Sequence, residues 1–340
     1  MSKKILITGG AGFIGVNAAQ TFSKKGWHVC VLDNLSRVGT EANLAWLRQR
    51  APEIDFERLD IRHEEALLNF FRGKSFDVVL HLAAQVAVTT SVTSPREDFE
   101  INAIGTVNLL EAVRRHSPQS QVIYASTNKV YGKMSTVSVC ERNGRYEYEH
   151  LSQGVDEAQP LEFYSPYGCS KGAADQYVLD YSRIYGLKTT VFRQSCIYGT
   201  RQFGVEDQGW VAWFTIASTK DRPITIYGDG KQIRDLLWVE DLVAAYSAAI
   251  ENCDQANGQA FNIGGGPANT LSLLELIAML EKNFGKIIPL KFDKQRPGDQ
   301  PVFVCNVDKA NRLLNWRPTV SPVDGVKKLA LWVAENSDIL

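Results

Sequence analysis

Lys4-Ile5-Leu6-Ile7-Thr8-Gly9-Gly10-Ala11-Gly12-Phe13-Ile14-Gly15 is the stretch whose reading decides the architecture. Lys4 to Thr8 is a short apolar strand candidate, and a helix is expected from about Val16 to Lys24. Glycines at 9, 12 and 15 would let backbone approach a pyrophosphate and let the helix pack closely on the strand. A glycine-rich turn alone is weak evidence, and an ordinary tight turn is its plain alternative. The context strengthens it. A second strand, His28-Val29-Cys30-Val31-Leu32, ends in Asp33 at about the offset of a carboxylate that bonds an adenosine ribose 2′-OH. Such a carboxylate repels a 2′-phosphate, so NAD is expected over NADP, with Arg37 keeping the second cofactor open.

Outward from this turn the first half alternates strand and helix. Asp77-Val78-Val79-Leu80-His81-Leu82 and Gln121-Val122-Ile123-Tyr124-Ala125-Ser126 are continuous apolar runs, the mark of buried parallel strands. Between them Ile104 to Arg115 has helical apolar spacing at Val107, Leu109, Leu110 and Val113. The rhythm predicts an α/β fold with a Rossmann-type doubly wound parallel sheet. Ligands of such sheets sit beyond the carboxyl ends of the strands. The glycine turn, Asp33, Asp60-Ile61, the turn after His81 and Thr127 all lie at such ends. His81 itself is expected to be a sheet residue near the cofactor rather than a catalyst.

Two further segments carry chemistry. Ser126-Thr127-Asn128-Lys129-Val130-Tyr131-Gly132 ends a strand, and Tyr167-Gly168-Cys169-Ser170-Lys171 opens a helix. Tyr-x-x-x-Lys puts both side chains on one helical face. There the ammonium of Lys171 is expected to lower the phenol pKa of Tyr167 from its free value of about 10. Thr127 would offer a hydroxyl to the same substrate oxygen. The set suits removal of a proton from an alcohol while a nicotinamide takes the hydride.

The 340 residues carry a net charge of −1, which offers no basic field for nucleic acid or an anionic membrane. Met1-Ser2-Lys3-Lys4 leads directly into the first strand, without a signal-peptide pattern. No apolar run approaches the roughly 20 residues that span a bilayer. The six cysteines (30, 140, 169, 196, 253, 305) are scattered without metal-ligand spacing, so free thiols in a reducing cytoplasm and no metal site are expected.

Lys133 to Pro166 is polar and charged; it reads equally as a solvated excursion and as a lid near the substrate. The helix that carries Tyr167 and Lys171 is expected to continue from Gly172 to Ile184. Thr189-Thr190-Val191-Phe192-Arg193 is a further sheet strand. Ile224 to Asp235 reads as a strand, a tight turn and a strand; Ala260-Phe261-Asn262-Ile263 follows, then a helix from Leu271 to Asn283. Residues 1–190 would form the cofactor domain, which strands near 190–195 and 258–264 rejoin. Residues 196–340 would mainly form a second, smaller α/β domain. Arg234 and Arg296 fall there, and arginine suits bidentate contact with a diphosphate.

Over essentially its whole length the chain resembles the extended short-chain dehydrogenase/reductase superfamily that acts on nucleotide sugars. Gly9-x-x-Gly12-x-x-Gly15, Thr127 and Tyr167-x-x-x-Lys171 carry that resemblance, with Tyr227-Gly228-Asp229-Gly230, Arg234-Asp235 and Arg296-Pro297-Gly298 in the smaller domain. Thr127-Asn128-Lys129, Ser165 to Tyr177, Tyr198 to Phe203 and Asp207-Gln208-Gly209-Trp210 look like the branch that inverts C2 of CDP-hexoses, taking CDP-paratose to CDP-tyvelose. The 4,6-dehydratases of the superfamily have Thr-Asp-Glu where this chain has Thr127, Asn128 and Lys129. An amide cannot act as a carboxylic acid, so elimination of water is disfavoured and return of the hydride is the simple fate of a ketone.

The resemblance implies catalytic roles for Thr127, Tyr167 and Lys171. It implies NAD contacts from Gly9, Gly12, Phe13, Ile14, Asp33, Asn34, Ser36, Arg37, Asp60, Ile61, Leu82, Ala83, Ala84, Gln85 and Asn102, besides Tyr167 and Lys171. For a CDP-sugar it implies Val86, Thr127, Asn128, Lys129, Gln194, Ser195, Arg201, Gln202, Gln208, Arg234 and Arg296. A homodimer or homotetramer is expected through the 104–115 and 172–184 helices. A UDP-hexose 4-epimerase would share the triad, and an NAD-sensing, non-catalytic regulator is the alternative from another class.

Overall fold

The computed structural model describes residues 2–296 and 299–340. Seven strands, β1 (Lys4–Thr8), β2 (His28–Asp33), β3 (Asp55–Arg58), β4 (Val78–His81), β5 (Gln121–Thr127), β6 (Lys188–Gln194) and β7 (Gln259–Ile263), form one sheet. Their order is β7-β6-β5-β4-β1-β2-β3, and every pairing is parallel. The order reverses between β1 and β4, which opens a crevice at their carboxyl ends.

The period-2 geometry of the strands divides the core between the two faces of the sheet. Ile5, Ile7, Val29, Val31, Val78 and Leu80 pack in one cluster. Leu6, Cys30, Leu32, Val79 and Val122 pack in the other. Both faces are buried, which explains why these strands read as unbroken apolar runs.

Helix α1 (Phe13–Lys24) begins three residues before the expected Val16, because extended Gly12 already serves as its N-cap. Helix α2 spans Thr40–Arg50, and α3 spans Gly105–His116. A π-helical turn, Glu100–Ile104, precedes α3. Helix α4 (Ser165–Tyr185) holds Tyr167 and Lys171 and continues through the expected 172–184 stretch, with Pro166 tolerated in its first turn.

Beyond β6 the chain leaves the sheet, returns through β7, and leaves again. A third core joins Tyr198, Phe214, Trp238, Leu280 and Leu329 in the smaller unit. One expectation is corrected here. The strands on either side of the Gly228–Gly230 turn do not pair with each other: Ile224–Tyr227 runs parallel to Leu290–Asp293, whereas Ile233–Trp238 pairs with Cys196–Tyr198, Thr270–Ser272 and Val302–Phe303. Positive φ at both glycines turns the chain out of one sheet into the next. The 133–166 segment forms an antiparallel hairpin, Val139–Arg142 with Arg145–Tyr148. It is braced on the smaller unit, where Tyr148 Oη donates to the Val302 carbonyl at 3.1 Å and Arg145 pairs with Glu275 at 3.1 Å. Among the described residues no helix is long and apolar enough to cross a membrane.

Two buried polar clusters lock the sheet. Arg193 on β6 and Asp175 on α4 form a bidentate pair at 3.0 Å, and Ser126 Oγ donates to the same carboxylate at 2.8 Å. Removing Asp175 strands a buried guanidinium. Asp175→Ala is therefore expected to cost about 3–5 kcal/mol, read from the urea midpoint. His81 lies between the hydroxyls of Thr8 (2.7 Å) and Thr106 (3.0 Å). Burial, with the Lys171 ammonium adding to it, lowers its pKa from 6.5 to about 3. The folded ring resists protonation, so its contribution is intact above pH 6.5 and is lost as pH falls toward 3. Between those limits the wild type should lose up to about 1.4 kcal/mol per pH unit more than His81→Gln, measured by urea unfolding at several pH values.

Candidate active site

A cleft lies across the carboxyl ends of the strands. Its floor is the glycine turn. A Cβ on Gly9, whose φ is +67°, would stand 2.7 Å from the Ala83 nitrogen; one on Gly15 would stand 2.3 Å from the Gly9 carbonyl oxygen. No other residue fits either position without moving backbone. Asp33 is buried, and its carboxylate accepts the Ala11 N–H at 3.0 Å and the Leu35 N–H at 2.8 Å. Burial raises its pKa, against the pull of these amides and of Arg37. Asp60 is the opposite case. Burial opposes its ionisation, but hydrogen bonds from Arg62 and Asn34 prevail and bring it down to about 2. A backbone cradle without side chains, leading to a fixed carboxylate, suits a dinucleotide.

Of the expected cofactor residues, Gly9, Gly12, Phe13, Ile14, Asp33, Asn34, Ser36, Arg37, Asp60, Ile61, Leu82, Ala83, Ala84, Tyr167 and Lys171 line this cleft. Gln85 and Asn102 stand behind its wall, bonded to each other through Gln85 N–H to Asn102 Oδ1 at 2.9 Å. Of the expected substrate residues, Val86, Gln194, Arg201, Gln202 and Gln208 line it. Arg201 donates to Asn43 Oδ1 at 3.0 Å and stacks 4.8 Å from the Trp46 ring centre. Thr127, Asn128, Lys129, Ser195, Arg234 and Arg296 do not form its wall. Sequence reasoning missed Val38, Thr40, Asn43 and Phe203 on the lining. No motif marks Val38, Thr40 or Asn43, and Phe203 only ends the Tyr198–Phe203 segment; the fold brings the loop after Asp33 against the 201–208 segment, where Arg37 donates to Gln208 Oε1 at 2.7 Å.

Helix α4 delivers Tyr167 and Lys171 from one face, both buried. The Tyr167 phenol is hydrogen-bonded to Thr127 at the end of β5. Burial pushes Tyr167 up to about 12; Thr127 and Arg37 oppose this and Asp98 reinforces it. Burial likewise brings Lys171 down to about 7, against Asp175 and Asp98. The expected lowering of the phenol pKa by Lys171 is thus absent from this arrangement. The Lys171 Nζ instead donates to the Ala125 carbonyl at 2.6 Å and lies 4.3 Å from the Tyr124 ring centre. Desolvation of a wholly buried phenol exceeds what its neighbours return.

Thr127 caps the short 3-10 turn Asn128–Tyr131, accepting from the Lys129 N–H at 3.3 Å. Burial, with Arg234 adding and Asp299 opposing, lowers Lys129 to about 8. Lys129, Arg234 and Asp299 therefore share one electrostatic neighbourhood. Arg234 pairs with Asp299 and donates to the Ile233 carbonyl at 2.7 Å. Arg296 pairs with Asp207 at 3.1 Å and stacks 3.9 Å from the Tyr227 ring centre; Pro297 and Gly298 of its motif lie outside the described residues. Ser195 donates to the buried Asp235 carboxylate. Among the described residues no group of three or more His, Cys, Asp or Glu could hold a metal ion, and all six cysteines are unpaired.

Residues 5–264 match the NAD dependent epimerase/dehydratase family. The chain is 46% identical to the CDP-paratose 2-epimerase of Salmonella typhi, over 97% of this chain and 99% of that one. It superimposes on Pal from Bacillus thuringiensis with a TM-score of 0.86 at 34% identity, covering 98% of this chain and 99% of that one. It superimposes on the UDP-glucuronic acid 4-epimerase of Bacillus cereus, solved with UDP-glucuronic acid and NAD, with a TM-score of 0.84 at 29% identity and the same coverage. With the glycine cradle, the carboxylate after β2 and the Tyr-x-x-x-Lys helix all in one cleft, the chain belongs to the NAD-dependent epimerase/dehydratase family.

Proposed function

We propose that this protein inverts C2 of a CDP-hexose, converting CDP-paratose to CDP-tyvelose, with NAD held through the turnover. The observation that carries this reading is Asn128-Lys129 beside an intact Thr127, Tyr167 and Lys171: the redox set is complete and the acid–base pair for elimination is missing. The likeness to the Salmonella typhi enzyme supports C2 and the cytidine base.

Bound NAD supplies a hydride acceptor and, once reduced, a hydride donor. The protein supplies the proton path and the grip on the sugar. Tyr167 takes the proton of the sugar 2-hydroxyl while Thr127 hydrogen-bonds the same oxygen. Lys171, once released from the Ala125 carbonyl, holds the phenolate by its charge and reaches the nicotinamide ribose. Tyr167, raised by burial, would be brought back toward the phenolate by that ammonium and by the positive charge that oxidised NAD would supply. Arg234 and Arg296 would exchange their carboxylate partners, Asp299 and Asp207, for the diphosphate. Asn128 and Lys129 hold the 2-keto sugar in two poses. Rotation about its bond to the diphosphate turns the opposite face to the hydride, and Tyr167 returns the proton.

We further propose that the protein works in the cytoplasm, in keeping with its unpaired cysteines, and as a homodimer or homotetramer. Exposed Phe99 and Ile104 at the start of the α3 region, with Tyr177, Ile184 and Tyr185 on α4, support pairing through these helices.

Purified protein incubated with CDP-paratose in D2O, without added NAD, is expected to invert C2 with no deuterium at that carbon, read by NMR. Deuterium at C2 would refute the redox route, and inversion at C4 of a UDP-hexose alone would replace the substrate assignment. Tyr167→Phe should lower the inversion rate by at least about 10²-fold while NAD remains bound, measured by cofactor absorbance after denaturation. No inversion by the wild type, with Tyr167→Phe changing only partner binding, would favour a regulator.

A further inference from the structure

Against the catalytic helix, outside the lining of the cleft, a carboxylate is buried with 1% of its surface exposed. It belongs to Asp98, in the short helix Pro95–Phe99 that runs into the π-helical turn Glu100–Ile104. Its partners are all neutral. Oδ1 accepts from Gln85 Nε2 at 2.8 Å and Asn102 Nδ2 at 3.1 Å; Oδ2 accepts from Ser170 Oγ at 2.5 Å. Ser170 lies between Tyr167 and Lys171 in the chain and is also bonded to the Tyr167 carbonyl at 3.2 Å. A π-turn inserted into a helix is frequent at functional sites. Here it leads from Asp98 to Asn102, whose side-chain amide reaches back to that carboxylate.

Neutral donors satisfy a carboxylate without cancelling its charge, and in a dry interior that charge is felt beyond its hydrogen bonds. We propose that Asp98 is a positioning residue for the Tyr167–Lys171 pair, anchoring their helix through Ser170 and setting the charge balance in which the pair works. This rests on the redox reading above. Asp98 favours the protonated form of both partners, raising Tyr167 and Lys171 alike. The other groups acting on Tyr167 are Thr127 from β5 and Arg37 from the loop after β2. Those around Lys171 are Asp175 on its own helix, the Tyr124 ring on β5 and neutral His81 on β4. Among the charged side chains named here, Asp98 acts on both members of the pair. Its field is therefore the one that moves them together, whereas Arg37 and Asp175 each bear on one.

The test is Asp98→Asn, which keeps the shape and removes the charge. In the pH–rate profile for C2 inversion, both limbs, which report the phenol and the ammonium of the pair, should move down by about one pH unit. Limbs that stay in place while the amplitude falls would overturn the proposal, since packing damage alone lowers the plateau. A second readout needs no sugar: tyrosinate absorbance of the NAD-loaded protein is titrated, with the Tyr167→Phe signal subtracted. The Tyr167 transition should move down in Asp98→Asn, and an unmoved transition would overturn the proposal even if the substrate were another sugar. If Asp98→Asn does not fold, Asp98→Ser is read in the same two ways.

Discussion

The contact of the glycine turn with the ends of the neighbouring strands is the constraint on which the molecule depends. Gly9 lies so close to Leu82 and Ala83 that no Cβ fits, and Gly15 lies as close to Gly9. These approaches seat α1 on the sheet and leave backbone amides as the floor of the crevice. The Asp33 carboxylate then ties the turn to β2 through the Ala11 N–H. Cofactor recognition and helix–sheet packing are thus one geometric demand met by the same atoms.

The second demand is to bury ionisable groups without losing their chemistry. Tyr167, Lys171 and Lys129 are all moved toward their neutral forms by desolvation. The two lysines so displaced sit where a proton can be exchanged at modest cost, whereas the raised Tyr167 needs positive charge beside it to give up its proton. The structural pairs behave differently. Arg193 stays charged because Asp175 accepts it bidentately, and Asp60 stays ionised because Arg62 does the same for it. Active and structural charges are separated by the quality of their partners, not by depth of burial.

The central sheet was legible because its strands obey local rules. Lys4–Thr8, the run ending in Asp33 and the run ending in Thr127 are apolar, and each ends at the crevice. Boundaries of helices were less legible. Gly12 can extend a helix start and Pro166 can open one, yet neither shows in apolar periodicity. The strands flanking Gly228–Gly230 looked like neighbours, since adjacency in sequence is the only cue there; their true partners lie some 35 to 70 residues away. The hidden lining residues, Asn43 and Phe203 among them, have no common spacing because two distant loops meet to place them.

By itself the sequence determined the dinucleotide cradle, the Tyr167–Lys171 pair on one helical face and the replacement of an eliminating acid by Asn128. Each depends on residue type at short range: absence of a Cβ, a four-residue helical spacing, an amide in place of a carboxyl. Only the tertiary structure decided the protonation balance of that pair, the partner that Lys171 takes, and the carboxylate of Asp98 behind it. These are set by burial and by charges brought together from separate elements. Desolvation belongs to the folded whole and cannot be read from any one segment.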